Sequence, residues 1–489
     1  MRYQNLSDFA AGLEKNGGLM RIQAEVSPYL EISEIADRTT KAGGPALLFE
    51  NVRGSEFPLI INTYGTMERV CMALGVSDIE EIADEIAEMI HMAPPEGLMD
   101  KVKTAARLAK VAKFPPKTVR SGPCQEVVST GEDVDLNALP IITCWPLDAG
   151  PYITFGQVFT KSLHTGSRNV GLYRVQIFSK NEAAMHWHMH HDGAGHYREY
   201  AAAGKRMPLA VAVGGDPVLP YAATAPLPHA IDELLFAGFL KKDHVTLVKA
   251  KTLTTEHGYD HDIEVPAEAD FVIEGYLEPD ELVMEGPFGD HTGFYSLADL
   301  YPKFHITAVT RRKKPIYQTI IVGKPPQEDL YLGKATERIF LPLLRTQVPE
   351  IVDMNLPIFG IFHNFVFIAI DKQYPWHARK AMSSVWGLGQ MMFSKIIVVV
   401  DKHVNVQNTD EVWFYVGSNV DPKRDIMFVD GPIDILDHAS VGLGYGSKMG
   451  IDATKKWESE GFHREWPDEI EMTEEIKRKV DERWKEYGF

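Results

Sequence analysis

The stretch from about residue 117 to residue 312 limits the fold more than any other part of this 489-residue chain. It carries short runs rich in β-branched and aromatic residues at 153–159, 170–178, 209–213, 244–249, 271–277 and 304–311, punctuated by Gly, Pro and Asp. One helical pattern, 230–240, lies among them. Short strands separated by turn residues bury their apolar faces by closing into a barrel or stacking as a sandwich. The flanks read differently. In the first, Leu6, Phe9 and Leu13 share a helical face behind a potential cap at Ser7, and 45–50 is a short buried strand. Ile79, Ile82, Ile86 and Ile90 form a helical stripe that ends before Pro94-Pro95. A basic stretch, 101–113, reads as a solvated amphipathic helix, and Pro115-Pro116 marks a boundary. After 313, buried strands at 316–322, 365–370 and 395–400 alternate with helical patterns. The end, 473–487, is an amphipathic helix with Ile476, Val480 and Trp484 on one face. The expected class is therefore α+β / α/β, divided at 1–116, 117–312 and 313–489.

A hydrophobic content of 45% gives sizeable cores and argues against disorder. The net charge of -18 excludes nucleic acid as the main partner, because phosphate binding needs a basic face. Cys71, Cys124 and Cys144 lie far apart with no C-x-x-C pair, which disfavours a cysteine zinc site and suits a reducing, cytoplasmic setting. The start has no apolar h-region, so no signal peptide is expected, and runs such as 396–400 are too short to span a bilayer. No G-x-G-x-x-G before a helix, no P-loop and no G-x-S-x-G elbow occurs, which disfavours dinucleotide, P-loop and α/β-hydrolase chemistry.

The chemistry concentrates in a few places. Met284-Glu-Gly-Pro-Phe-Gly-Asp-His-Thr-Gly293 sets Glu285 and Asp290 at the two ends of a turn that can fold them toward one point. Two acids brought close cannot both ionise cheaply, so one is expected to keep its proton and serve proton transfer. The plain alternative is an Asx turn with a solvated Glu. Asn169-Val-Gly-Leu-Tyr-Arg174 offers a guanidinium that either grips a carboxylate or phosphate or forms a salt bridge on the outside of a barrel. In Met185-His-Trp-His-Met-His-His191, a strand would align His186, His188 and His190 on one face, with His196 nearby, which resembles a metal site. The spacing fits neither H-E-x-x-H nor His-x-His-x-Asp-His. Glu233 heads an apolar helical turn, and Lys395 stands at the mouth of a core strand, where it binds phosphate or merely flanks the core. Mixed O and N ligands suit manganese or magnesium.

Together these motifs resemble the UbiD family of prenylated-FMN-dependent decarboxylases. The resemblance runs nearly end to end and includes Leu30-Glu-Ile-Ser-Glu-Ile-Ala-Asp-Arg38, Gly44-Pro-Ala-Leu-Leu-Phe-Glu-Asn51, Thr143-Cys-Trp-Pro146, Glu285-Gly-Pro-Phe-Gly-Asp-His-Thr-Gly293 and Gly446-Ser-Lys-Met-Gly-Ile-Asp-Ala-Thr454. Within the family it is most similar to the 4-hydroxy-3-polyprenylbenzoate decarboxylases of ubiquinone biosynthesis. The resemblance implies an N-terminal α/β region, a central split β-barrel related to flavin reductases, and a C-terminal α/β domain that supports homodimers or homohexamers and ends in a helix able to reach a partner. It implies Arg174, Glu285 and Asp290 as the catalytic trio. It implies Asn169, His190 (His191 second) and Glu233 as ligands of Mn2+ or Mg2+ anchoring the cofactor phosphate, with Lys395 meeting that phosphate and K+ nearby. A flavin prenyltransferase would supply the cofactor, and a lipid-like substrate would bring the protein to the membrane periphery.

One departure stands out. The ubiquinone branch reads roughly Trp-Leu-Ser-His-Arg-Gly-Gly where this chain has Trp187-His-Met-His-His-Asp-Gly193, and the segment 256–262 resembles an insertion. Both bear on the substrate more than on the reaction. His291 either contacts a ring substituent or packs within the turn. The competing readings are a decarboxylase of another aromatic acid or aromatic acyl-CoA in catabolism, a His-cluster metal hydrolase, and a non-catalytic flavin-binding subunit.

Overall fold

In the computed structural model, which describes residues 2–90, 114–188, 191–227 and 231–488, a nine-stranded antiparallel sheet forms the centre. Its spine is one long hairpin, Phe271–Glu285 against Asp299–Arg311. Met207–Val213, Gln157–Lys161 and Arg168–Leu172 extend it on one side, and Glu182–Met185, Val175–Ile177 and Tyr152–Ile153 on the other. Val127–Thr130 pairs with the far end of Asp299–Arg311. Every residue of Met207–Val213 is buried, as expected of a strand covered on both faces. The sheet curls into a half-barrel.

Two of the expected strands are each broken in two. The run 170–178 divides into Arg168–Leu172, paired with Gln157–Lys161, and Val175–Ile177, paired with Tyr152–Ile153 and Glu182–Met185. The run 153–159 divides in the same way into Tyr152–Ile153 and Gln157–Lys161. Both chains therefore cross from one end of the curled sheet to the other. A Cβ on Gly156 would lie 2.5 Å from Val211 Cγ1, so one crossing passes where only glycine fits. Tyr173 and Arg174 occupy the other crossing.

On the N-terminal side, helix Leu6–Lys15 buries Leu6, Phe9, Ala10 and Leu13. Its cap is Asn5, whose side chain accepts the Asp8 N–H, rather than the expected Ser7, which lies within the helix. The adjoining sheet runs Leu19–Ile22, Ala46–Phe49, Leu59–Ile61, Tyr317–Gln318. The last strand comes from the run 316–322, expected among the later strands, and pairs in parallel with Leu59–Ile61. Helix Glu80–Ile90 packs Ile82, Ala83 and Ile86 inward, and Glu80 bonds Arg338 of the long helix Glu328–Gln347. The basic stretch 101–113 and Pro94-Pro95 lie outside the described residues.

The C-terminal sheet runs Ile351–Asn355, Phe365–Ile370, Ile396–Asp401, Tyr445–Asp452, Ile426–Pro432, with three parallel inner strands and an antiparallel strand at each edge. Helices His377–Trp386 and Thr409–Asn419 cover it. The terminal helix is Glu474–Glu482 followed by the turn Trp484–Tyr487, and Ile476 and Trp484 on it are exposed. Among the described residues no helix is long and apolar enough to cross a membrane.

Candidate active site

Arg174 is the hub. Its Nε lies 2.8 Å from Glu285 Oε1 and its Nη2 lies 3.1 Å from Oε2, a bidentate grip. Nη1 bonds Asp290 Oδ2, and Nη2 also donates to Ser296 Oγ at 3.1 Å. The guanidinium lies over the Phe288 ring, 4.7 Å from its centroid. Glu285 is fully buried and Asp290 is 7% exposed. The crossing at residues 173 and 174 presents Arg174, and the connection between the two long strands presents the acids. Glu285 ends the first long strand opposite Asp299, and the Gly-Pro-Phe-Gly turn then carries Asp290 back.

Residues distant in sequence pin that turn. Gly286, at φ +92°, takes a conformation that side chains rarely adopt, and its N–H donates to Gln176 Oε1 at 2.8 Å. Tyr152 also donates to Gln176 Oε1, at 3.0 Å. The Gly289 N–H donates to Asp148 Oδ1 at 2.7 Å, while Asp148 Oδ2 accepts the N–H groups of Cys144 and Trp145. A Cβ on Gly289 would stand 2.2 Å from Trp145 Cδ1. The Thr143-Cys-Trp-Pro146 motif is thus the wall behind the acid turn.

The protonation pattern differs from the sequence expectation. Burial pushes the Glu285 carboxyl up, but the His186 hydrogen bond and Arg174 outweigh it and hold it at about 2. Burial likewise opposes ionisation of Asp290, yet its bond to His291 and the Arg174 charge hold it well below the ordinary carboxylate range. The two acids do converge, but a guanidinium lies between them and removes the repulsion that would have left Asp290 protonated. The proton resides one residue along. Burial opposes the charged form of His291, but Asp290, with the charges of Asp329 and Asp434, raises it to about 9. His291 Nδ1 lies 3.0 Å from Asp290 Oδ1 and its Nε2 lies 3.3 Å from His363 Nε2, so protein groups meet both nitrogens.

His186 and His188 do not lie on a strand. Glu182–Met185 ends first, and His186 and His188 follow it in irregular backbone. They converge with Nε2 atoms 2.9 Å apart, and His186 Nδ1 lies 2.9 Å from Glu285 Oε2, which commits that ring to the carboxylate. The His186 ring lies against Tyr301, and the His188 N–H donates to His191 Nδ1. His196 is bound to Thr160, outside this cluster. His190 lies outside the described residues. Among the described residues no group of three or more His, Cys, Asp or Glu side chains could hold a metal ion.

Asn169 and Glu233 lie at a separate spot. Glu233 opens the helix Glu233–Lys241, which Asp232 caps, and its Oε2 accepts the Val170 N–H at 3.1 Å beside Asn169. Asn169 is 6% exposed, and its Nδ2 is buried without a hydrogen-bond partner. Burial, with Asp232 and Asp192 adding like charge, pushes Glu233 up to about 7. Lys395, expected at a phosphate, forms an ion pair with Asp437 at 2.6 Å.

Reading the sequence missed His186 as a partner of Glu285, and missed Gln176, Asp148, Ser296 and His363 altogether. Gln176 and Asp148 each stand beside a quoted motif, which is the only signal that could have pointed to them.

A guanidinium held by one buried carboxylate and shared with a second acid, with a histidine behind that acid, brings together the kinds of group that carboxylate binding and proton transfer call for. The model of the 3-octaprenyl-4-hydroxybenzoate carboxy-lyase Rift-related domain matches residues 117–325, and the N-terminal and C-terminal domain models of the same lyase match 10–89 and 330–453. The chain belongs to the UbiD family. An uncharacterised protein of Aquifex aeolicus (strain VF5) is 50% identical, covering 100% of this chain and 99% of its own. Vanillic acid decarboxylase of Sedimentibacter hydroxybenzoicus, in its closed form, superposes with a TM-score of 0.85 at 28% identity, covering 99% of this chain and 100% of that one. The UbiD-class enzyme HmfF of Pelotomaculum thermopropionicum, in complex with FMN, gives 0.80 at 30% identity, covering 98% and 99%.

Proposed function

We propose that this chain uses prenylated FMN to decarboxylate an aromatic acid reversibly and without net oxidation, with 4-hydroxy-3-polyprenylbenzoate of ubiquinone biosynthesis as the substrate. One observation carries the reading: Arg174 is shared between Glu285, which holds it bidentately, and Asp290. When bound, the prenylated flavin supplies the electron sink for loss of carbon dioxide. Arg174 receives the substrate carboxylate, and Glu285 keeps the guanidinium facing it. The incoming carboxylate competes with Asp290 for Arg174. Asp290, released from that charge, takes the His291 proton and delivers it to the ring carbon.

The Glu233 carboxylate, which accepts the Val170 N–H next to buried Asn169, and the side-chain amide oxygen of Asn169 are hard oxygen donors of the kind a divalent cation takes. Asn169, Glu233 and His190 would hold Mn2+ or Mg2+, which would anchor the cofactor phosphate. Leu147, Phe294, Leu297 and Leu300 are all exposed on and around the acid turn, and this apolar rim supports a prenylated substrate. The exposed apolar side chains of the terminal helix support assembly into dimers or hexamers. The setting is cytoplasmic, with membrane contact limited to substrate capture.

The test is co-expression with a flavin prenyltransferase, the absorbance and mass of the bound cofactor, and carbon dioxide release from a panel of aromatic acids. Release from prenylated hydroxybenzoates is the expected result. Turnover of short-chain acids alone would move the assignment to the catabolic reading. A chain that carries prenylated FMN and decarboxylates no aromatic acid would overturn it.

A further inference from the structure

His363 lies just before strand Phe365–Ile370 of the C-terminal sheet, yet it meets the acid turn of the central sheet. The His291 and His363 rings stand at 88° with centroids 5.6 Å apart, and their Nε2 atoms are 3.3 Å apart. His363 is buried, and its Nδ1 has no hydrogen-bond partner. A His291 ring charged beside Asp290 carries hydrogens on both nitrogens, so at the shared contact His363 Nε2 is the acceptor. The charged groups facing the pair come from three elements. Asp290 lies on the same turn as His291, Asp329 comes from helix Glu328–Gln347, and Asp434 and Asp437 follow strand Ile426–Pro432. Asp434 Oδ1 stands 3.9 Å from His363 Nε2, and Lys395 takes up the charge of Asp437. Arg174 lies beyond Asp290.

We infer that His363 is a positioning residue for proton delivery: by accepting the Nε2 hydrogen of His291 it keeps the Nδ1 hydrogen aimed at Asp290. The inference rests on the decarboxylase reading. In the step, the His291 Nδ1–H bond breaks and an O–H bond forms on Asp290. His291 is left neutral, with its remaining hydrogen on Nε2 held by His363. The carbon–carboxyl bond breaks, carbon dioxide leaves, and the freed electron pair ends in a new C–H bond made with the Asp290 proton. A solvent proton then restores His291. One proton is consumed per carbon dioxide released, and no net redox change occurs.

The test compares His363→Leu, which removes the acceptor, with His363→Gln, whose amide oxygen can replace it. The first readout is the titration of His291 in the full-length cofactor-free chain, followed by NMR of histidine labelled at Cε1 and assigned by its loss in His291→Asn. His363→Leu is expected to lower the midpoint by about one pH unit, a tenfold loss of proton affinity. His363→Gln is expected to recover at least half of that. In the loaded enzyme, His363→Leu is expected to cut kcat about tenfold with KM within about twofold. It is also expected to bring the alkaline fall of kcat to lower pH. Equal effects of Leu and Gln, an unchanged midpoint in the Leu variant, or a wild-type midpoint at or below the ordinary histidine value would overturn the inference. The last outcome needs no variant to fold. A chain inactive on every aromatic acid refutes the decarboxylase reading, while the titration still decides the His363 contact.

Discussion

Replacing Glu285 by Gln keeps the shape of the side chain and removes its charge from a fully buried position. The Glu285 carboxyl lies at about 2 in the folded chain against an ordinary 4.5. That difference contributes about 3 kcal/mol of stability at neutral pH. Breaking one side of a buried ion pair costs about 3–5 kcal/mol, so two independent routes agree. The sign follows from the depressed value. The contribution is complete above about pH 5 and is lost as pH falls from 4.5 toward 2, so about 1 kcal/mol of it is gone at pH 4. Urea unfolding followed by tryptophan fluorescence is the assay, since Trp145 packs on the acid turn and Trp187 on Tyr173. With a slope of about 3 kcal/mol per molar urea, Glu285→Gln shifts the midpoint down by about 1 M at pH 7. The gap between variant and wild type narrows at pH 4. An unchanged midpoint at pH 7, or a gap that stays constant down to pH 4, refutes the reasoning.

Asp290→Asn preserves the hydrogen bonds of the turn but removes the proton carrier. Carbon dioxide release is expected to fall by a factor of about a hundred or more, with an unchanged circular dichroism spectrum. Gly289→Ala drives a methyl into Trp145 and displaces Asp290, and the same assay should show a loss of about a hundredfold. Asn169→Ala and Glu233→Ala are each expected to lower bound divalent metal, read by elemental analysis, by about tenfold or more with thermal stability retained. Near-normal turnover or full metal content in the respective variant would refute each assignment.

The convergence of Arg174, Glu285 and Asp290 was legible because Gly and Pro in the 286–289 turn announce a reversal, and an arginine in an apolar strand run needs a partner. The strand-dense centre and the outer α/β units were legible from periodicity. The breaks within 170–178 and 153–159 were not, because alternation along a run says nothing about which end of a curled sheet each half joins. The strand alignment expected of His186 and His188 fails for a related reason. Alternation suggested a shared metal, while in three dimensions His186 turns to Glu285, 99 residues away. The charge state of Asp290 depends on Arg174 and on His291, which itself feels Asp329 and Asp434, and no local pattern encodes that sum. Lys395 likewise finds Asp437 only through tertiary folding.

The fourth strand of the N-terminal sheet, Tyr317–Gln318, is made long after the other three. During synthesis the nascent chain must hold Leu59–Ile61 with one edge unpaired while some 250 further residues leave the ribosome, a delay of roughly ten seconds or more. An open edge of that kind invites pairing with other chains. The amino-terminal unit is therefore open to chaperone capture before the polypeptide is released.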